Sequence, residues 1–139
     1  MEHLKYYKIF IDGIDKSGKD TVCDYITFLG NFKYLNKPRG IMTMIAYAKK
    51  FDRQFSYDKE NLKDEINVLL DVDKEDWIAR CKINKEAMIN YDIDTSLFND
   101  AYNELQGKTH LLRFNTSNET AYTIAKKILN YVDSLNKGV

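Results

Sequence analysis

Two glycines and a lysine stand at a fixed spacing near the N-terminus of the chain. Gly13 and Gly18 enclose four residues, and Lys19 follows directly. Glycines let a backbone curl with its N–H groups pointing inward, and a helix that starts after the loop adds a positive dipole. A lysine at this position reaches the β and γ phosphates of a nucleotide. We call residues 13–19 the glycine loop, and its spacing predicts a site for a nucleoside triphosphate.

The residue after the lysine differs from the usual pattern of such loops. The motif places serine or threonine there to ligate magnesium through a hydroxyl, whereas this chain has Asp20 followed by Thr21. A carboxylate is itself a magnesium ligand, but it also puts a negative charge beside bound phosphates. Two interpretations stay open: magnesium binding is rearranged around Asp20, or the triphosphate site has decayed.

The apolar pattern around the loop predicts the elements that position it. Residues 6–14 contain an apolar and β-branched run typical of a strand buried on both faces, and this run stops at the loop. After the loop, apolar residues recur at helical spacing up to Gly30 and predict an amphipathic helix. The order of strand, glycine loop and helix is the one that a phosphate site requires.

The rest of the chain continues the alternation of strands and helices. Further strands are predicted at residues 32–35, 65–73 and 110–114, and further helices at 41–51, after Asp73, at 94–105 and near the C-terminus. Thr116 and Glu119 are predicted to form a capping box before the last helix. The alternation predicts a three-layer α/β fold of the P-loop NTPase type, with a small parallel sheet flanked by helices. Its ligands would lie at the carboxyl ends of the strands, where the glycine loop falls.

Composition narrows the class of protein. The chain has 139 residues and is 44% hydrophobic, which suits a single domain over residues 1–139. The 21 Lys and Arg balance the 21 Asp and Glu, so there is no strong signal for nucleic-acid binding. Cys23 and Cys81 form no zinc or disulfide pattern, and no apolar run predicts a membrane span. We expect a cytoplasmic protein without a membrane partner.

Several segments resemble one known family. Residues 10–21, with the sequence FIDGIDKSGKDT, resemble the phosphate loop of thymidylate kinases, which typically reads EGIDGSGKTT. Residues 69–73, LLDVD, and the residues through Arg80 are similar to the strand before that family's lid and to the lid's first arginine. Residues 94–102 resemble the helix after the lid. The resemblance is closest around the glycine loop and loose over the rest of the chain.

The resemblance implies an enzyme that transfers the γ-phosphoryl group of ATP to a deoxynucleoside monophosphate, either dTMP or a modified pyrimidine nucleotide. It also implies magnesium as a cofactor, with Asp20 as its ligand here, and a homodimer. Phosphoryl transfer is mostly positioning and charge neutralisation, because its loose transition state needs cations around the phosphate oxygens. The residues implied to hold the nucleotide are Gly13, Asp15, Lys16, Ser17, Gly18, Lys19, Asp20 and Thr21.

Two further segments imply how the acceptor nucleotide is bound. Residues 37–40, KPRG, lie near where the family has an arginine that reaches the acceptor phosphate. Residues 52–56, DRQFS, resemble the family's DRY-x-x-S segment. Arg53 would therefore clamp the acceptor phosphate with help from Arg39, and Asp15 would accept a hydrogen bond from the acceptor's sugar hydroxyl.

Three cations after the strand at 65–73 are implied to form a lid. Arg80, with Lys82 and Lys85 beyond it, would close over the phosphates and exclude water, which would otherwise take the phosphoryl group. The implied catalytic residues are Lys19, Arg53 and Arg80.

Two other functions stay open. In the first, Asp20 and the segment from Thr21 to Arg53, which is shorter than in thymidylate kinases, belong to a catalytically decayed protein that still binds nucleotides. In the second, the loop serves a P-loop kinase that acts on a different hydroxyl or phosphate acceptor. The substitution Asp20→Thr separates a decayed site, which would gain activity, from a working carboxylate ligand, which would lose it.

Overall fold

The computed structural model describes residues 7–83 and 90–137, and strands and helices alternate along them. The strands are β1 (Lys8–Gly13), β2 (Asn36–Pro38), β3 (Glu65–Asp71) and β4 (His110–Asn115). The α-helices are α1 (Lys19–Leu29), α2 (Ile41–Lys50), α3 (Lys74–Ile83), α4 (Tyr91–Glu104) and α5 (Ala121–Lys137), and a 3-10 helix covers Lys59–Leu62. The fold class is therefore α/β, as the alternation predicted.

All four strands are parallel and lie side by side in the order β2, β1, β3, β4. Ile11 of β1 pairs with Pro38 on one side and with Val68 on the other, and Val68 pairs in turn with Leu112. Parallel pairing brings the carboxyl ends of the strands to one edge of the sheet. The glycine loop starts at this edge, where ligands of open α/β sheets bind.

Two apolar cores cover the two faces of the sheet. On one face Ile9 and Ile11 pack with buried residues of α1 and α5, namely Val22, Cys23, Ile26, Ile124, Ala125, Ile128 and Val132. On the other face Leu69 packs with buried residues of α2, α3 and α4 and the turn after α4, namely Met42, Ala46, Trp77, Cys81, Phe98, Ala101 and Leu105. Helices therefore flank the parallel sheet on both sides, in three layers.

The prediction of a strand at residues 32–35 is wrong. After α1 the backbone turns, because Asn31 and Phe32 have φ angles of 52° and 61°. Phe32 is 76% exposed, so the apolar residues that suggested a strand are not all buried. The second strand lies further on, at Asn36–Pro38. Pro38 is tolerated there because this short strand pairs with β1 alone and forms the edge of the sheet.

The capping box predicted for the last helix is also absent from its expected place. Oγ1 of Thr120 accepts the Thr123 N–H at 3.1 Å and caps α5 instead. Thr116 lies in the preceding turn and donates its hydroxyl to the Asp71 carbonyl at 3.2 Å. Glu119 pairs with an exposed lysine of α5. Thr116 therefore holds the end of β3 rather than the start of a helix.

The helix predicted at 94–105 is confirmed but begins earlier. The Asp94 N–H bonds to the Asn90 carbonyl at 2.8 Å, so the first turn of α4 starts at Tyr91. Of the helices in residues 7–83 and 90–137, none is long and apolar enough to cross a membrane.

Candidate functional site

The glycine loop connects the end of β1 to the start of α1 and requires glycine at two positions. A Cβ atom on Gly13 would lie 2.6 Å from Oγ of Ser17 and 2.7 Å from the backbone oxygen of Leu70, closer than atoms pack. Gly18 has a φ of 100°, a left-handed conformation that other residues disfavour. The loop is therefore folded tightly against the end of β3.

Lys19 lies folded over the loop. It is 9% exposed, and its Nζ donates to the carbonyl oxygens of Gly13 at 2.7 Å and Ile14 at 3.0 Å. Burial lowers the pKa of this ammonium group, and the nearby charge of Asp15 raises it. The cation is thus held at the centre of the loop, at the first residue of α1.

Side chains from outside the loop hold its next carbonyl groups. Nε1 of Trp77 donates to the Asp15 carbonyl at 3.0 Å, and a guanidinium nitrogen of Arg80 donates to the Lys16 carbonyl at 2.7 Å. The same nitrogen of Arg80 donates to Oγ1 of Thr116 at 3.2 Å. The carbonyls of Asp15 and Lys16 therefore point towards α3. Because the C=O and N–H of a trans peptide point in opposite directions, the N–H groups that follow these carbonyls point away from α3.

Asp12 immediately precedes the loop and is completely buried. Its carboxylate accepts hydrogen bonds from Gly40 and Thr43, at the start of α2. Burial raises the pKa of this carboxyl group, while the hydrogen bonds and the charge of Lys19 lower it. The loop is therefore connected to α3 on one side and to α2 on the other.

Three of the predicted residues, Asp15, Lys19 and Arg39, lie near enough to one another for their charges to interact. The charges of Asp15 and Arg39 both act on Lys19 and also on the hydroxyl group of Tyr47. Burial raises the pKa of Tyr47, Asp15 raises it further and Arg39 lowers it. Arg39 has a φ of 72°, and its N–H donates to the Ile11 carbonyl at 2.8 Å. Arg39, Asp15 and the Tyr47 hydroxyl are therefore within electrostatic range of one another.

The other predicted cations lie elsewhere. The Arg53 guanidinium lies 5.6 Å from the ring centroid of Phe51, and within the described residues no hydrogen bond or ion pair joins it to the glycine loop. Arg80 contacts the loop but holds a loop carbonyl, as described above. Lys82 is exposed near the end of α3, and Lys85 lies outside the described residues.

Asp20 and Thr21 are exposed in the first turn of α1. A carboxylate at a helix N-terminus is favoured by the helix dipole. The charge of Asp20 acts on Lys19 and on Cys23, where burial together with Asp20 raises the thiol pKa to about 12. Among residues 7–83 and 90–137 there is no cluster of three or more His, Cys, Asp or Glu that could hold a metal.

Two cavities border the loop at the edge of the sheet. A cavity of about 320 Å³ lies beside α3 and the β4–α5 turn and is lined by Lys16, Gly18, Thr21, Arg80, Thr116, Glu119, Thr120 and Ala121. A smaller cavity of about 110 Å³ lies at the ends of β3 and β4, and its polar lining comes from Asp71, Asp73, Tyr91, Thr95 and Asn115. The first cavity is within the usual size range for small-molecule pockets, and the second is below it.

Several residues of the site were not predicted. Asp12 had a usable signal, because a carboxylate inside an apolar strand must find partners when it is buried. No sequence signal indicates the roles of Trp77 and Thr116, because their partners in the loop and in β3 are distant in sequence. Tyr47 was not predicted, because its position depends on how α2 packs against the sheet and α4.

Comparison with known proteins gives no match: no family model, no curated protein and no solved structure matches this chain. Its function must therefore be inferred from the geometry of the site.

Proposed function

We propose that this chain is a P-loop protein of the NTPase type that transfers the γ-phosphoryl group of ATP to a deoxynucleoside monophosphate, in the manner of thymidylate kinases. One observation carries the proposal. The glycine loop joins a central parallel strand to a helix, with Lys19 buried over its carbonyls. This combination serves to bind a chain of phosphates.

Binding of the triphosphate exchanges the partners of Lys19. Its Nζ leaves the carbonyls of Gly13 and Ile14 and donates to the β and γ phosphates. Trp77 and Arg80 keep the loop open during this exchange, because they hold the carbonyls of Asp15 and Lys16. Phosphate oxygens also offset the burial that lowers the pKa of Lys19, so the ammonium form is favoured in the complex.

The nucleoside end of ATP fits the cavity of about 320 Å³ beside the loop. Lys16, Gly18 and Thr21 line this cavity and belong to the glycine loop and the first turn of α1, so a nucleotide bound there would reach the loop. Arg80 lies at its wall and can contact the ligand while it holds the Lys16 carbonyl.

Asp20 fits magnesium next to the phosphates. Magnesium at phosphoryl-transfer sites is usually held by one or two carboxylates together with substrate phosphates and water, so it needs no cluster of protein ligands. Asp20 is an exposed carboxylate directly after Lys19, which meets this requirement. Bound magnesium supplies charge neutralisation across the phosphate oxygens.

The acceptor nucleotide lies on the α2 side of the loop, with Asp15, Arg39 and Tyr47. The bond between the γ phosphorus and the bridging oxygen to the β phosphate breaks, and a bond to an oxygen of the acceptor phosphate forms. Lys19 and Arg39 place positive charge around these oxygens, which is what such a transition state needs. Arg39 is favoured over Arg53 here, because the charge of Arg39 acts on Lys19, whereas the Arg53 guanidinium lies over the Phe51 ring.

A nucleotide-binding protein without catalysis is the second candidate. It is favoured by Arg80, which holds the Lys16 carbonyl and Thr116 instead of extending into a lid. The substitution Asp20→Thr distinguishes the two candidates in an assay of ADP release. The kinase proposal expects a fall of about tenfold in an existing activity, since the carboxylate ligand is lost. A gain from no activity would favour the binding protein.

The proposal is tested by coupled ADP release from MgATP with a panel of deoxynucleoside monophosphates. We expect turnover with one pyrimidine nucleotide, and none in Lys19→Ala. Lys59→Ala, which removes an exposed lysine of the 3-10 helix, is the matched control and should keep the wild-type rate. Binding of MgATP without turnover on any nucleotide of the panel would contradict the proposed reaction and favour the binding protein or a P-loop kinase with a different acceptor.

A further inference from the structure

Asp12 is a buried carboxylate that contacts the start of one helix. Its Oδ1 accepts the N–H of Gly40 at 2.7 Å, the N–H of Thr43 at 3.2 Å and the Thr43 hydroxyl. Its Oδ2 has no hydrogen-bond partner in the described part of the chain. A buried charge is costly unless donors or opposite charges compensate it. Its main compensation therefore comes from α2.

Helix α2 has no side-chain cap in its own sequence. Its N-cap residue is Gly40, which carries no side chain, and Asp12 of β1 takes the capping role. In an ordinary cap the acceptor belongs to the residue just before the helix. Here the acceptor belongs to a central strand, so the start of α2 is tied to the strand end that precedes the glycine loop.

The residues before α2 are fixed to the same strand end. A Cβ on Gly40 would lie 2.6 Å from the Cβ of Phe10, so the backbone of Gly40 rests directly on β1. The N–H of Arg39 donates to the Ile11 carbonyl at 2.8 Å. Arg39 therefore takes its position from residues 10–12, immediately upstream of the loop.

Asp12 also interacts with the lysine of the loop. Attraction between the two charges lowers the pKa of Asp12 and raises that of Lys19. The carbonyls that Lys19 contacts belong to Gly13 and Ile14, the two residues after Asp12. Any movement of Lys19 towards a phosphate changes the electric field at Asp12.

We propose that Asp12 is a positioning residue that couples occupancy of the glycine loop to the position of α2 and Arg39. This inference rests on the proposed function, since it assigns Arg39 to the acceptor side. When a triphosphate takes Lys19 away from the loop carbonyls, the changed field at Asp12 is passed on through its hydrogen bonds to Gly40 and Thr43. The position of Arg39 therefore shifts when the phosphoryl donor binds.

The test is hydrogen–deuterium exchange of the amides of residues 39–47, with and without saturating MgATP. Binding is followed separately by the fluorescence of Trp77, the chain's only tryptophan, which contacts the loop. In the wild type we expect MgATP to change this exchange about threefold or more. In Asp12→Asn the change should disappear at MgATP concentrations that the Trp77 fluorescence shows to be saturating for that variant, so that a lost response is not lost binding.

Thr43→Val provides a second variant that removes one donor and keeps the Asp12 charge. We expect it to at least halve the MgATP-induced change, and Thr43→Ser, which keeps a hydroxyl, to restore it. Asp58→Asn is the matched control, because Asp58 caps the exposed 3-10 helix by accepting the Glu60 N–H at 3.0 Å. It should behave as the wild type. If Asp12→Asn fails to fold, the two Thr43 variants decide the question.

Two results would overturn the coupling in distinguishable ways. In one result, exchange of residues 39–47 rises in the variants equally with and without MgATP, or the variants keep the wild-type response to MgATP. Asp12 would then be a structural cap only, and the proposed function would be unaffected. A wild-type protein that binds no MgATP would refute the proposed function and the coupling together.

Discussion

The two central strands each carry an aspartate near the same edge of the sheet, and the two carboxylates are in opposite situations. Asp12 is fully buried and accepts hydrogen bonds from uncharged donors of α2. Asp71 is partly exposed, and both its oxygens accept from the Arg113 guanidinium, at 2.6 and 3.0 Å. Asp71 is paired directly with a cation, whereas Asp12 is stabilised mainly by the donors of α2 and to a smaller degree by the charge of Lys19. Because Asp71 is paired with Arg113 and Asp12 is bound by uncharged donors, we expect Asp12 to be the carboxylate that a movement of Lys19 affects.

The largest effect is expected where the two strand ends touch. Gly13→Ala should lower the free energy of unfolding by about 3 kcal/mol, because the new Cβ would clash with Ser17 and the Leu70 backbone. Gly107→Ala is the control: its φ is 78°, but its Cβ would meet no atom within 4 Å, and strain alone should cost about 1 kcal/mol. Urea unfolding measures both, and equal losses would show that the strand ends are not tightly packed.

The two aspartates themselves should differ in stability. Asp12→Ala leaves buried donors of Gly40 and Thr43 unpaired and should cost about 2 kcal/mol. Asp71→Ala breaks an ion pair that water partly screens and should cost about 1 kcal/mol or less. Thermal unfolding of the two variants makes the comparison directly. A larger loss for Asp71→Ala would reverse the contrast between the two strand ends.

A smaller effect is expected in the dependence of stability on pH. Burial raises the pKa of Asp12 above its ordinary value of 3.8, so the folded state keeps this proton bound up to a higher pH than the unfolded chain does. Stability from this group is fully present below the unfolded pKa and is lost as pH rises through the folded pKa. The unfolding free energy of the wild type minus that of Asp12→Asn should therefore become smaller as pH rises from 3.8. A flat difference would contradict this.

The position of the glycine loop between a strand and a helix could be predicted from sequence because the signals for it are local. Gly13, Gly18 and Lys19 lie within seven consecutive residues. The strand before them and the helix after them have clear apolar patterns. The partners of Asp12 and the position of Tyr47 could not be predicted in the same way. Both depend on where α2 lies, and α2 follows a short edge strand whose position the apolar pattern misplaced.

Arg80 illustrates a second limit of sequence reasoning. A cation after β3 was expected, and the structure brings Arg80 to the glycine loop. Its partner is a backbone carbonyl of Lys16, and any residue type offers such a group, so no pattern in the sequence identifies it. Charged side chains can be predicted to approach a site, but the choice between ligand and loop carbonyl depends on packing.

The most direct test of the central claim is a calorimetric titration with MgATP of the wild type, Lys19→Ala and the exposed-lysine control Lys59→Ala. We expect the wild type and Lys59→Ala to bind one equivalent alike, and Lys19→Ala to bind about 100-fold more weakly, because charge-assisted hydrogen bonds to phosphate are lost. Equal binding by all three proteins, or no binding by the wild type, would show that the glycine loop does not hold a nucleoside triphosphate.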